Sequence, residues 1–69
     1  MREDIEVGDD GIRLGQLLKL ANVADTGGAA KELLAAGLVR VNGVVEVRRG
    51  AQLRAGDVVT CAGTELHLT

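Results

Sequence analysis

From Leu14 onward the spacing of apolar residues changes once along this chain, and the change falls at Gly37. Before it, Leu14, Leu17, Leu18 and Ala21 stand at i, i+3, i+4 and i+7, one face of an amphipathic helix of about two to three turns. On that wheel Arg13, Gln16 and Leu20 share a second flank, while Lys19 points elsewhere. Ala30, Leu33 and Leu34 predict a second helix from about 27 to 36. Thr26 is placed to cap it, its hydroxyl free to accept from the amides of the first turn, and Gly37 supplies the left-handed stop. After Gly37, Leu38-Val39-Arg40-Val41 and Val44-Val45-Glu46-Val47 read as strands, and Asn42-Gly43 between them is the strongest hairpin signal in the chain. Arg48-Arg49-Gly50 turns again in the same sheet, and 54–57 makes another loop. Val58–Cys61 and Glu65–Leu68 then pair across Ala62-Gly63-Thr64. Ile5-Glu6-Val7 adds a short edge strand before a turn at 8–11. Two short helices joined through 22–25 are not stable alone and must pack on another layer. The expected architecture is α+β: an αα-hairpin packed on a small, mainly antiparallel sheet of four to five strands, one domain over residues 1–69.

Composition decides what holds such a domain together. A chain of 69 residues buries only about 60% of its unfolded surface. Cys61 is the only cysteine, so no disulfide staples it, and one Cys with one His rules out an ordinary four-ligand zinc site. Hydrophobic residues are 46% of the chain and none is aromatic, which leaves Leu, Val, Ile and Ala to do the packing. No segment approaches the roughly 18 apolar residues that cross a membrane. The acidic first ten residues are unlike a secretory signal, and a single unpaired cysteine fits a reducing compartment. The expected setting is cytoplasmic. Catalysis is not expected: His67 stands on an alternating strand with no acid or nucleophile near it in sequence. Cys61 alternates with Val59 and reads as a small buried hydrophobe. No cofactor, metal or small-molecule substrate is implied.

The net charge of −2 conceals an asymmetry. Residues 1–10 carry one basic and five acidic groups, and residues 55–69 carry only Asp57 and Glu65. Residues 11–54 carry seven basic groups (Arg13, Lys19, Lys31, Arg40, Arg48, Arg49 and Arg54) against Asp25, Glu32 and Glu46, a balance of +4. Positive charge gathered in mid-chain points to an anionic partner more than the total does. With no aromatic side chain, base stacking is impossible. A nucleic-acid partner must then be held through phosphates, backbone amides and shape, the mode suited to folded RNA. Gly27-Gly28 at a helix start leaves bare amides for a phosphate, with Lys31 an i, i+4 neighbour of Gly27. A flexible helix start in which glycine is merely tolerated is the plainer reading.

Taken in order, these features resemble the S-four RNA-binding domain, also called the αL motif. Its opening Arg-Leu-(Asp)-x-x-Leu is matched by Arg13-Leu14-Gly15-Gln16-Leu17-Leu18. Its Ser/Thr-Arg-x-x-Ala-(Arg/Lys) finds Thr26-Gly27-Gly28-Ala29-Ala30-Lys31, and Gly-x-Val-x-Val-Asn-Gly finds Gly37 to Gly43. The closing Leu-x-x-Gly-Asp-x-Val falls on Leu53, Gly56, Asp57 and Val59. The motif core spans 12–60, about two thirds of the chain, and its variants look like the small stand-alone bacterial branch of the family. Two positions depart: Gly15 stands where the family has Asp, and Gly27 where it has Arg. The resemblance implies binding of structured RNA, ribosomal or transfer, and the expected form is a non-catalytic monomer. The residues it points to are Arg13, Thr26, Lys31, Arg40, Asn42, Arg48 and Arg49, and the bare amides at the start of the second helix add Gly27 as a candidate. Asn42 also has a purely structural reading, since a turn asparagine needs no ligand.

Two other classes compete. Small β-grasp sulfur carriers share the length and a similar turn, but work through a terminal Gly-Gly, where this sequence has His67-Leu68-Thr69. A protein–protein interaction module using an exposed sheet edge, at Ile5–Val7 or Leu66–Leu68, is compatible with the composition.

Overall fold

The two hairpin turns of the sheet use the backbone conformation their residues favour. In the computed structural model, which describes residues 1–69, Asn42 and Gly43 have φ of 51° and 85°, and Ala62 and Gly63 of 52° and 77°. Two successive left-handed residues make the tight turn whose twist matches antiparallel strands. The first turn joins β3 (Val39–Val41) to β4 (Val44–Val45), and the second joins β6 (Val58–Cys61) to β7 (Thr64–Leu68). β1 (Arg2–Ile5) lies parallel to β7, from Arg2 beside Glu65 to Ile5 beside Leu68. The sheet order is β1-β7-β6-β3-β4, five strands with one parallel pairing.

The helices are α1 (Leu14–Leu20) and α2 (Gly27–Ala35). Both present the predicted faces: Leu14, Leu17, Leu18, Ala30 and Leu34 are buried and Leu33 is half-buried. They meet Val39, Leu53, Val59, Cys61, Leu66 and Leu68 in one aliphatic cluster, with Ala24 of the connection. Thr26 caps α2 as expected, its hydroxyl accepting from the Ala29 amide at 3.1 Å. Cys61 is buried, and burial pushes its thiol up, away from the nucleophilic thiolate.

Three expectations need correction. The N-terminal strand is Arg2–Ile5, not Ile5–Val7. Its pairing with β7 uses backbone groups alone, so the alternation of side chains does not locate it; Val7 still donates to the Thr69 carbonyl, where β7 ends. The strand after Asn42-Gly43 stops at Val45 instead of reaching Val47. The Glu46 carboxylate folds back to accept from the amides of Val47 and Arg48, at 3.0 and 3.1 Å, and turns the chain out of the sheet. Arg48 and Arg49 therefore lie on a loop outside the sheet. That loop leads to β5 (Gln52–Leu53), which pairs with β2 (Ile12–Arg13) in a separate two-stranded ladder that residue pattern did not reveal.

The Asn42 turn and the Gly56-Asp57 loop are one network. The Asn42 side-chain amide donates to Asp57 at 3.0 Å and its oxygen accepts from the Val58 amide at 2.9 Å. The other Asp57 oxygen accepts from the Arg54 amide at 2.8 Å. Both ends of the Asn42 side chain are thus engaged within the chain, which realises its structural reading.

Candidate nucleic-acid interface

Helix α1 starts without a capping side chain: Arg13 occupies the N-cap position, and Gln16 Oε1 reaches back to the Arg13 amide at 3.3 Å. The first helical amides still need acceptors, and a distant loop supplies them. Leu14 donates to the Ala51 carbonyl at 2.9 Å and Gly15 to the Arg49 carbonyl at 2.8 Å. Gly15 makes the approach possible, because a Cβ there would stand 3.2 Å from Arg49 Cβ and 3.3 Å from its carbonyl oxygen. The departure from the family's Asp at this position thus coincides with close docking of the 48–51 loop.

This docking places Arg49 with Arg13 in the lining of an open depression of about 240 Å³, formed by Arg13, Gly15, Gln16, Lys19, Gly27, Ala30, Arg49 and Gly50. Three cations and three glycines line it, with no carboxylate among them. Lys19, expected to point away from the flank of Arg13 and Gln16, belongs to this lining with them. Arg13, Gln16 and Lys19 follow one another at steps of three, and across a helix this short such a series keeps to one side. That stepwise spacing was the signal available for Lys19.

The other candidates take other places. Lys31 is exposed on α2, one turn beyond Gly27, and Thr26 stands at the same end of the helix. Arg40 is exposed on β3, its guanidinium 3.5 Å from the Gly43 carbonyl, and Asn42 is held in the turn network. Arg48 is paired with Glu46 at 3.2 Å. The structure thus joins Arg13, Gly27 and Arg49 in one depression and leaves Thr26, Lys31, Arg40, Asn42 and Arg48 outside its lining.

The Arg48 guanidinium, through its hydrogen bond, holds the Glu46 carboxyl below the ordinary carboxylate range, and the amide of Arg48 adds to the effect. A depressed carboxyl stabilises the fold above its unfolded pKa and loses that contribution as pH falls through its folded value. On acidification the 46–51 loop is therefore expected to loosen before the core does. The check is amide exchange and chemical shift at Val47 and Arg48 across an acid titration, which should change while Leu17 and Val59 stay native. Simultaneous change at all four would contradict this ordering.

A family model for the S4 domain matches residues 5–69. The chain belongs to the S4-domain family. Among its relatives is RlbA of Bacillus subtilis, 44% identical over 63 residues, 91% of this chain and 89% of RlbA. RlbA is named, provisionally, a ribosome maturation protein. YbcJ of Escherichia coli is 40% identical over 57 residues, 83% of this chain and 81% of YbcJ, and is provisionally named an RNA-binding protein. The solution structure of YbcJ superposes with a TM-score of 0.73 at 33% identity, covering 96% of this chain and 85% of YbcJ. It is described as having an αL motif involved in RNA binding. The S4-type α+β fold is thereby shared. No helix of this S4 domain is long and apolar enough to cross a membrane.

Proposed function

We propose that this S4 domain is a non-catalytic binder of structured RNA, ribosomal or transfer, working in the cytoplasm, and that it grips phosphates in the depression between α1, the start of α2 and the 48–51 loop. The observation that carries this reading is the convergence of Arg13, Lys19 and Arg49 on one concave, glycine-lined surface without a carboxylate. Guanidinium and ammonium groups converging in this way favour a polyanion. The absence of aromatic side chains from the whole chain leaves shape and phosphate as the recognised features. Lys31 and Arg40 extend the basic surface beyond the depression. Arg48 joins it when a phosphate competes with Glu46.

Affinity for a bulged RNA hairpin should fall steeply with salt. The three cations of the depression alone correspond to a slope of roughly −2 to −3 in log affinity against log salt. Gly27→Arg gives a second check. A Cβ at Gly27 meets nothing within 4 Å, so the arginine usual in the family can be accommodated at the rim. It is expected to tighten binding several-fold and steepen the salt slope by about one. Binding that ignored salt, or that was unmoved both by Gly27→Arg and by removal of the three cations, would overturn the reading.

A further inference from the structure

Helix α2 separates two surfaces of different chemistry. At about 100° per residue, Gly27 and Ala30 face the basic depression, whereas Ala29, Glu32, Leu33 and Ala36 lie roughly 140° away around the helix. That second side, with Val23, Ala24, Asp25 and Leu38, lines a groove of about 430 Å³. Six of its eight lining residues are apolar, and Leu38 is 58% exposed. Its only charged groups are Asp25 and Glu32, and neither takes part in an ion pair within the chain. The third carboxylate of the basic mid-chain segment, Glu46, is already occupied by Arg48. The two unpaired carboxylates of residues 11–54 thus both line this exposed apolar groove.

We propose that this groove is a docking site for a protein partner, specifically an amphipathic segment with an apolar face bordered by lysine or arginine. Charge complementarity selects that occupant: basic side chains pair with Asp25 and Glu32 while apolar ones cover Leu33, Ala36 and Leu38. The same carboxylates repel phosphate, so RNA does not fit here. Because the groove and the depression lie on different sides of α2, both partners can be held at once, and the proposal stands whether or not the depression binds RNA.

The test titrates the isotope-labelled full chain with a short helix-forming peptide of leucine and lysine. Saturable shifts are expected at the amides of Ala29, Glu32, Leu33, Ala36 and Leu38, with Gly15, Lys19 and Arg49 unmoved. Asp25→Lys combined with Glu32→Lys is expected to weaken binding about tenfold or more. The same charge change on β1, Glu3→Lys with Asp4→Lys, should leave it unaltered. Leu38→Ser removes exposed apolar surface without altering charge and should also weaken binding, and a leucine–glutamate peptide should not bind. The proposal is overturned if the β1 reversals matter as much as those at the groove, or if the peptide shifts fall elsewhere. It is equally overturned if the RNA hairpin, or a second copy of the chain, moves the groove amides instead.

Discussion

Replacing Lys19 and Arg49 together by glutamate is expected to lower affinity for the RNA hairpin about a hundredfold or more near 0.1 M salt. Each phosphate left without its cation at that ionic strength removes roughly one decade of affinity, because its counterions are no longer released. Reversal adds repulsion to that effect. The double change takes the balance of residues 11–54 from +4 to neutral. The remaining salt slope should be shallower by about two. Both side chains are exposed and neither is in an ion pair, so the melting temperature should hardly move, which separates weaker binding from unfolding. Reversal of Arg48 is a useful contrast. Its guanidinium already faces Glu46, and its substitution should cost less affinity than that of Arg49. An equal effect at Arg48 and Arg49 would mean that RNA is gripped by the whole loop rather than by the depression.

That contrast shows where residue pattern is informative and where it stops. The helices were legible because Leu14, Leu17 and Leu18, and Ala30 and Leu34, repeat on one face, and the hairpins because Asn42-Gly43 and Ala62-Gly63 sit between alternating runs. β2 and β5 were not legible, since a two-residue ladder has no period. β4 looked longer than it is because Val45 and Val47 continue an alternation that Glu46 ends with its own carboxylate. The same local event determines much of the site. From sequence, Arg48 and Arg49 are equivalent neighbours on a turn. In the fold, Glu46 holds one while the other follows a backbone carbonyl to the unfilled amides of α1. A helix that starts at Arg13 without a side-chain cap leaves donors to be satisfied. Which distant carbonyl meets them depends on the whole chain path, and Lys19 became a neighbour of Arg49 only through that path.

The path is most exposed to damage at Gly11, where the second large effect is expected. Gly11→Ala should destabilise the domain by about 3 kcal/mol or more, whereas Gly8→Ala should cost only about 1–2 kcal/mol. Both glycines hold left-handed backbone, with φ of 72° and 69°, so both substitutions carry a similar conformational penalty. They differ in what a methyl group meets. Nothing lies within 4 Å of a Cβ at Gly8, but at Gly11 it would collide with the backbone carbonyl oxygen of Leu53. A carbonyl in a ladder cannot rotate away as a flexible side chain can. Relief therefore requires Ile12 and Arg13 to part from Leu53 and Gln52, withdrawing Leu53 from the core it enters at 2% exposure. For a domain of this size the excess corresponds to a fall in melting temperature of roughly 4–8 °C for each kcal/mol, read from thermal melts of the two variants side by side. Equal melting temperatures would show that the β2–β5 ladder yields freely. The functional consequence follows from position. β2 runs directly into α1, and β5 follows the loop whose carbonyls receive the first amides of α1. Opening this ladder should separate Arg13 from Arg49 while the five-stranded sheet persists, so Gly11→Ala should lose RNA affinity at temperatures where its sheet amides are still protected from exchange.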